Sequence, residues 1–428
     1  MIDFHGKRLL ILGDTSTADV ILNAKSMGVY TIVSGIHPEA KTRQLADEAV
    51  LIPSDDHEAL ARFIRENKID GVMTGASEFQ ICQMIQLCHK VGLPVYANEI
   101  QWHLCQDKAC FKKLCREFNV PVVPEFEIDS EMKQADLTRI EYPVVVKPTD
   151  SCSSQGLSIC FNENELRIAI PIAVSVSKSG RFLVEKCIIS DNGFGCRYIV
   201  NNGEIYLSAV NDRYTVDKLD GCAHFGAVSR FPSKRIDSFI NEINPSIVRM
   251  FQSIGLANGT FFMQALIDPN DNQMYFHDMG LRLSGGLFYH MFEAACGYND
   301  IQMMIRYALG GPMATSQDIE RIDPRMKGHI VGGVTIPLKS GVIASITGIE
   351  DVRRCSQVVG ITQYYSVGDE VKDSFMGTLS QLLCRVKILT DSSAEFCEVI
   401  SFVQNTIKVE DADGHDLVYR RFDISRLT

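Results

Sequence analysis

The sequence predicts a multidomain protein of the α/β and α+β classes with a parallel-sheet domain at its N-terminus. Its 428 residues exceed what one hydrophobic core usually organises. Over the first hundred residues, short apolar runs alternate with helical patterns, which is typical of a parallel sheet covered by helices. Beyond them the pattern changes twice, so we expect domains at residues 1–100, 101–311 and 312–428, with a mobile lid at about 140–190.

Apolar periodicity and turn residues place the elements of these domains. The first domain is expected to contain strands at Arg8–Leu12, Tyr30–Ser34, Ala49–Ile52, Gly71–Thr74 and Leu93–Tyr96. Its helices are expected at Thr17–Met27, Asp56–Asn67 and Glu78–Val91. The second domain should have a helix at Asp107–Phe118, strands at Val144–Val146 and Phe182–Val184, and a hairpin of Phe261–Ile267 with Met274–His277. In the third domain we expect a helix at Ser393–Gln404 within an α+β unit.

Composition excludes several functional classes. Forty-two Lys and Arg against 53 Asp and Glu give a net charge of −11, which argues against a nucleic-acid or anionic-membrane partner. Fourteen cysteines without repeated metal-ligand spacing indicate a reducing compartment, so we expect a cytoplasmic, soluble protein. No apolar run is long enough for a membrane span, and neither GxGxxG after the first strand nor a P-loop motif occurs.

Charged residues follow two buried strands of the second domain. Lys147 ends the run Val144–Val146, and a flexible Ser/Gly-rich turn through Gly156 comes next. This pattern favours a phosphate grip, in which the lysine supplies charge and the turn supplies backbone N–H groups; a solvated strand end is the alternative. Glu185 and Lys186 end another apolar run and allow the same two interpretations.

A carboxylate at the end of the predicted hairpin indicates a metal site. Asp278 precedes Arg282 by four residues, and Ser284-Gly285-Gly286 follow. The carboxylate is a hard oxygen ligand for Mg²⁺, the arginine is a neighbouring cation, and Gln264 on the facing strand offers a second oxygen.

The order of these motifs resembles the ATP-grasp superfamily, over residues 1–310. The similarity is to the branch of biotin carboxylase, carbamoyl-phosphate synthase and the carboxylate-amine ligases, including L-amino-acid ligases. It implies an ATP-grasp fold preceded by a pre-ATP-grasp domain, and binding of ATP with Mg²⁺, or with Mn²⁺ in its place. The implied ATP-binding residues are Lys108, Lys147, Ser153, Ser154, Gln155, Gly156, Glu185, Lys186, Ile188 and Asp191.

The resemblance also implies roles for these residues. Lys108 and Lys147 contact phosphates, and the turn from Ser153 to Gly156 forms a lid. Glu185 receives the adenine amino group, while Lys186 and Ile188 present backbone to the ring. Gln264 and Asp278 face the metal, and Arg282 holds the transferred phosphoryl group or the acyl phosphate. On the acceptor side, Arg213 pairs with a substrate carboxylate and His224 orients or deprotonates an amine, with an incidental surface loop as the alternative for His224.

Two residues depart from the family pattern. The family usually has Glu at the position of Asp278 and Asn at that of Gly280, so one metal ligand is missing or supplied elsewhere. The ribose-binding carboxylate is also displaced, with Asp191 as its substitute.

The predicted function is an ATP-dependent carboxylate-amine ligase that acts through an acyl phosphate on small molecules. A homodimer is one assembly state that we consider. The alternatives are a carbamoyl-phosphate-synthase-like or biotin-carboxylase-like enzyme, and a non-catalytic ATP sensor.

Overall fold

The N-terminal domain is built around a parallel sheet, as predicted, and this sheet has four strands in the order β3-β2-β1-β4. The computed structural model describes residues 4–15, 17–128, 131–151, 155–190, 192–215, 226–286 and 288–427. The domain's elements are β1 (Arg8–Leu12), α1 (Ala18–Ser26), β2 (Tyr30–Ser34), β3 (Glu48–Val50), α2 (His57–Glu66), β4 (Gly71–Thr74) and α3 (Glu78–Val91). Because parallel strands end at the same edge, the turns after β1 and β4 lie side by side.

The fifth strand predicted for this domain, Leu93–Tyr96, is wrong. These residues form an irregular connection after α3, in which the N–H of Leu93 donates to the Cys88 carbonyl and the hydroxyl of Tyr96 donates to the Leu281 carbonyl. Pro94 has no N–H to give to a strand ladder, and the apolar side chains pack against the core instead.

Helices α4 (Glu99–Gln106) and α5 (Lys108–Glu117) come next, and their buried side chains belong to the same apolar core as the first domain. The residues after them form a smaller unit with its own apolar cluster. Its elements are β5 (Glu125–Phe126), α6 (Gln134–Leu137), β6 (Val144–Pro148), β7 (Ser158–Cys160), α7 (Glu163–Val176) and β8 (Phe182–Lys186). The antiparallel sheet has the order β5-β8-β6-β7. Its strands β6 and β8 end in the predicted site residues Lys147 and Glu185.

A large antiparallel sheet joins the rest of the chain, in the order β13-β12-β9-β10-β11-β14-β19-β17. Its strands are β9 (Asn192–Asn201), β10 (Glu204–Thr215), β11 (Gly226–Phe231), β12 (Gly259–Ile267), β13 (Met274–Gly280), β14 (Ile330–Pro337), β17 (Val358–Gln363) and β19 (Leu382–Thr390). The pairing of β12 with β13 confirms the predicted hairpin. The pairing of β11 with β14 carries the sheet across residue 312, where the sequence pattern had indicated a separate unit.

Helices and short strands complete this part of the molecule. They are α8 (Ile236–Ser238), α9 (Asn244–Ser253), α10 (Tyr289–Cys296), α11 (Asp300–Ala308), α12 (Ser316–Arg321), β15 (Gly341–Val342), β16 (Ser345–Thr347), α13 (Ile349–Arg353), β18 (Glu370–Val371), α14 (Ser393–Thr406) and β20 (Lys408–Glu410). Helix α14 confirms the helix expected near the C-terminus. The cysteines of the described segments are free thiols. Within those segments, no helix has both the length and the apolar character needed to cross a bilayer.

Candidate functional site

The backbone that follows Lys147 connects the two predicted phosphate-binding lysines, because Lys108 contacts it directly. Lys108 is the first residue of α5, and its backbone N–H donates to the Thr149 carbonyl at 2.9 Å. Its ammonium donates to the carbonyl of Ser151, in the turn after Lys147. Asp107 caps the helix by accepting from the Cys110 N–H at 2.9 Å. The N-terminus of α5 is thereby fixed against the end of β6.

Lys147 belongs to a buried ladder of alternating charges. Its ammonium is 2.8 Å from Oε2 of Glu185, whose Oε1 accepts from Lys112 at 2.7 Å. Lys112 is fully buried, donates to the Val123 carbonyl at 2.7 Å and lies 2.7 Å from Glu125. Burial acts to raise the pKa of the Glu185 carboxyl, but Lys147 and Lys112 outweigh it and the pKa is lowered. Glu185 is therefore an ionised link between two lysines.

This ladder changes the interpretation of Glu185. Both of its carboxylate oxygens are engaged by lysines, so the side chain holds Lys147 in place. The contact with an adenine amino group remains a prediction from the resemblance. The sequence analysis did not single out Lys112, because a lysine in the middle of a helix resembles any solvent-exposed lysine. The strong amphipathicity of α5 is the signal that could have found it, since Lys112 lies on the buried face with Phe111 and Cys115.

Lys186 and Ile188 lie where the chain leaves β8. The ammonium of Lys186 is 2.6 Å from Asp268 in the β12–β13 turn, and the contact raises the pKa of the lysine. Its backbone N–H donates to the Pro124 carbonyl at 2.9 Å, while Ile188 is buried. The side chain of Lys186 is thus occupied, and the predicted presentation of its backbone carbonyl to a ring remains untested.

The β12–β13 hairpin forms the opposite wall of the site. Gln264 faces Asp278 directly, and the register shifts at the next pair, where Ala265 faces Phe276. His277 is consequently the extra residue of a β-bulge. Burial and then the charges of Lys147 and Arg213 lower the pKa of His277 to about 3, so the imidazole is neutral. The strand alternation had given no reason to include His277 in the site.

Asp278 lies among cations that come from separate elements. Burial raises the pKa of its carboxyl, while the charges of Lys108, Lys147 and Arg282 oppose that rise. Arg213 on β10 donates from Nη1 to Oε1 of Gln264. Burial lowers the pKa of Arg213, and the charge of Asp278 opposes it. The structure therefore brings six of the predicted residues together.

The oxygen donors fit a magnesium ion. Asp278 supplies a carboxylate oxygen, and the Gln264 oxygen has a second lone pair beyond the one used by Arg213. Mg²⁺ usually takes one or two protein carboxylates and completes its coordination with phosphates and water. The raised pKa of Asp278 is consistent with a buried carboxylate that a cation would stabilise.

Arg282 connects the site to the N-terminal domain. Its guanidinium lies 5.0 Å from the centroid of the Phe262 ring, and Nη2 is 3.4 Å from Oε1 of Glu78 in the first turn of α3. Nη1 donates to the Leu283 carbonyl at 3.2 Å, and the buried Nε finds no hydrogen-bond partner among the residues that the structure describes. The helix that follows β4 thus contributes Glu78 to this site.

Gly280 is closely packed but has no positive φ. A Cβ there would lie 2.6 Å from two atoms of the Phe262 ring and 3.4 Å from Cγ of Arg282. A side chain at this position would displace the ring that supports Arg282. With Phe262 in this position, the asparagine that the resemblance leads us to expect at residue 280 would not fit.

Part of the predicted lid and acceptor region lies outside the described residues, namely Ser153, Ser154, Asp191 and His224. Of the lid turn, Gln155 accepts from the hydroxyl of Ser151 at 2.9 Å. Gly156 has φ +72°, and a Cβ there would lie 2.9 Å from the Pro148 ring. The turn folds closely over the end of β6, which requires glycine at this point.

Comparisons with known proteins agree with this arrangement. Residues 107–316 match the family described as carbamoyl-phosphate synthase L chain, ATP binding domain. The chain is 23% identical over 327 residues to the formate-dependent phosphoribosylglycinamide formyltransferase of Sulfurisphaera tokodaii, covering 72% of this chain and 78% of that relative.

Similar solved structures extend over nearly the whole chain. Phosphoribosylglycinamide synthetase from Anaerococcus prevotii has a TM-score of 0.74 at 19% identity, covering 95% of this chain and 100% of its own. L-amino acid ligase from Bacillus licheniformis has a TM-score of 0.75 at 18% identity, with 95% and 99% covered. The biotin carboxylase domain of 2-oxoglutarate carboxylase from Hydrogenobacter thermophilus, solved with MgADP and bicarbonate, has a TM-score of 0.75 at 19% identity, with 96% and 91% covered. The lysine-bearing sheet and the acidic hairpin lie within the residues that match this ATP-binding domain, and the similar solved structures show that the chain has the ATP-grasp fold.

Proposed function

We propose that the protein is an ATP-dependent ligase that joins a small-molecule carboxylate to an amine. A carboxylate oxygen attacks the γ-phosphorus of ATP, which gives an acyl phosphate and ADP. The amine nitrogen then attacks the acyl carbon, phosphate leaves with the bonding electron pair, and the nitrogen loses a proton. The products are an amide, ADP and phosphate, with every atom of the reactants accounted for.

The observation that carries this proposal is the convergence of four cations on Asp278. Lys108 and Lys147 approach from one wall, while Arg213 and Arg282 approach from the other. Phosphoryl transfer needs positioning and charge neutralisation more than covalent participation by the protein. Relatives with the same fold include a phosphoribosylglycinamide synthetase and an L-amino acid ligase, which supports amide formation here.

Some residues of the site act in ATP binding and others act in turnover. Lys108 and Lys147 neutralise the phosphates of bound ATP, and Glu185 fixes the direction of Lys147. In this proposal Arg282 holds the transferred phosphoryl group and then the acyl phosphate, because its planar fork binds two oxygens at once. Arg213 pairs with the substrate carboxylate. Magnesium, or manganese in its place, would be held by Asp278 and Gln264 and would supply further neutralisation of phosphate charge.

A non-catalytic ATP sensor is the second candidate, and the packing of Gly280 against Phe262 favours it. Because a side chain does not fit at residue 280, the magnesium site lacks the asparagine ligand expected there, and the described residues offer no substitute. A carboxylase resembling the biotin carboxylase relatives would use the same grip on ATP. The free thiols support our proposal that the protein acts in the cytoplasm.

ADP release distinguishes these functions. We would measure it with Mg²⁺ across pools of carboxylates, each tested with and without pools of amines, and include bicarbonate as a separate carboxylate. A ligase gives release that depends on a carboxylate and an amine together, and Lys147→Ala abolishes that release. Release with bicarbonate alone would favour the carboxylase. Binding of ATP without release under any condition would favour the sensor and overturn the ligase proposal.

A further inference from the structure

Helix α7 of the smaller unit is apolar around its whole circumference over its last nine residues. From Ile168 to Val176 the sequence contains no charged side chain, and Ser175 is the one polar residue. The hydroxyl of Ser175 donates to the Ile172 carbonyl at 2.8 Å, so the helix itself satisfies it. A helix that is apolar on all sides is normally buried on all sides. In α7 only the face that packs on β6 and β7 is buried.

The outer face of α7 carries a continuous apolar row. Ile168 is 66% exposed, Ile172 is 45% exposed and Val176 is 39% exposed. These side chains follow one another at intervals of four residues, so they lie in line along the helix. Pro171 is exposed on the same face. We call Ile168, Pro171, Ile172 and Val176 the α7 stripe. Covering it with a complementary surface would remove this apolar area from water.

Exposed apolar residues extend the α7 stripe at both ends. Phe161, which directly precedes the N-cap of α7, is 63% exposed. At the other end, a Cβ at Gly156 would lie 3.1 Å from Cβ of Val176, so the turn through Gly156 packs against the helix there. Leu157 follows in that turn and is 41% exposed. The apolar surface therefore runs along the full length of the helix.

Opposite charges lie at the two ends of the α7 stripe. Glu165 precedes Ile168 by three residues and lies on the same face. Its carboxylate accepts hydrogen bonds from the Phe161 N–H and the Asn162 amide. Lys178 is exposed just beyond the last residue of α7. Among the residues that the structure describes, neither Glu165 nor Lys178 has an ion-pair partner.

A second, antiparallel copy of α7 matches both the charges and the apolar row. Across a two-fold axis, residues at equal distances from the axis on opposite sides face each other. The midpoint between Glu165 and Lys178 falls at Pro171 and Ile172, in the middle of the α7 stripe. An axis at this point sets Glu165 of each copy against Lys178 of the other and covers both stripes. The charges and the apolar row therefore specify one register.

We propose that the α7 stripe is an interface between two copies of this chain, whose α7 helices pack antiparallel across a two-fold axis. The proposal concerns assembly and does not depend on the ligase function. One pair of helices covers less than the roughly 800 Å² per partner of a standard interface, so the dimer dissociates on dilution.

Sedimentation velocity over a dilution series of the full chain tests this interface. We expect a reversible equilibrium between monomer and dimer. Ile172→Glu sets two like charges against each other at the axis and should raise the dissociation constant about a hundredfold or more. Leu22→Glu is the matched control, because Leu22 is 52% exposed on α1 of the N-terminal domain, and it should leave the constant unchanged.

Charge exchange tests the register through exposed side chains. Glu165→Lys and Lys178→Glu should each raise the dissociation constant about fivefold, and the double variant should restore it because the pairs re-form with their signs reversed. Circular dichroism checks that each variant is folded. A monomer at every concentration would overturn the proposal, as would a dimer that survives Ile172→Glu or is weakened equally by Leu22→Glu. A double variant no better than the single ones would reject the antiparallel arrangement.

Discussion

The ammonium of Lys112 lies 2.7 Å from one oxygen of the Glu185 carboxylate, and the other oxygen of that carboxylate lies 2.8 Å from Lys147. Lys112 therefore shares the negative charge of Glu185 with Lys147. Without Lys112, the carboxylate would act on Lys147 alone and hold its ammonium away from a phosphate. We infer that Lys112 is a positioning residue for ATP binding.

Lys112→Met should weaken ATP binding about tenfold, because the more tightly paired Lys147 gives up about 1.4 kcal/mol of attraction to phosphate. The affinity for ATP, measured by calorimetry, checks this expectation. Lys113→Met is the matched control, since Lys113 is the exposed neighbour on α5. The double variant with Glu185→Gln should bind ATP better than Lys112→Met alone, because it releases Lys147. A purely structural role for Lys112 would make the double variant weaker still.

Glu185→Gln should destabilise the sheet that carries β6 and β8 by about 3 kcal/mol, since it removes the carboxylate that pairs with the buried Lys147 and leaves Lys112 with Glu125 alone. The pH dependence of unfolding gives a second readout. Because folding lowers the pKa of Glu185, its stabilisation is complete above the carboxyl's ordinary pKa and is lost as the pH falls through the lowered value. The variant should lose less stability than the original protein over that acidic range. Identical acid unfolding curves would contradict the ionised link.

Asp278→Asn should abolish Mg²⁺-dependent ADP release and leave the fold intact. Burial raises the pKa of this carboxyl, so its ionised form costs folding free energy when no cation is bound. The variant should therefore melt at the same temperature as the original protein or higher in metal-free buffer. Added Mg²⁺ and ATP should raise the melting temperature of the original protein much more than that of the variant. Retained release at ordinary Mg²⁺ concentrations would show that other residues hold the metal.

Gly280→Asn introduces the asparagine that the family usually has at this position. From the sequence alone, its effect on activity depends on whether the backbone there tolerates a side chain. The structure predicts harm by another route, since the new Cβ overlaps the Phe262 ring and costs about 1 to 3 kcal/mol. Thermal unfolding and ADP release should both decline. Adding Phe262→Ala should relieve the overlap and recover part of the stability lost through Gly280→Asn. If the single variant is as stable as the original, the ring moves freely and does not fix Arg282.

Arg282→Lys separates a ligase from a sensor. It keeps the charge but loses the planar fork, so ATP affinity should change little. Turnover should fall about a hundredfold or more, equivalent to about 3 kcal/mol of transition-state stabilisation. Calorimetry and ADP release measure the two quantities independently. A loss of ATP affinity as large as the loss of turnover would contradict a role limited to the transferred group.

The sequence revealed those parts of the site that depend on local order along the chain. Lys147, Glu185 and Asp278 each end a short apolar run, so the strand pattern located them. Lys112 was missed because its significance arises from burial against Glu125 and Glu185, which belong to other elements. The contact of Arg282 with Glu78 was missed for the same reason, since 204 residues separate the partners. The strand predicted at Leu93–Tyr96 was wrong because an apolar segment that packs as an irregular connection can have the same composition as a buried strand.

The pairing of β11 with β14 determines whether the chain can be cut into a shorter fragment that stays monomeric. Four residue pairs, from Val228 with Val334 to Phe231 with Val331, close the sheet at this point. A fragment that stops at residue 311 would expose the backbone N–H and C=O groups of β11 as a free edge. Such edges recruit strands from other molecules, so the fragment would self-associate through β11. The C-terminal residues thus act as an internal cover against aggregation, apart from any part they take in binding substrate.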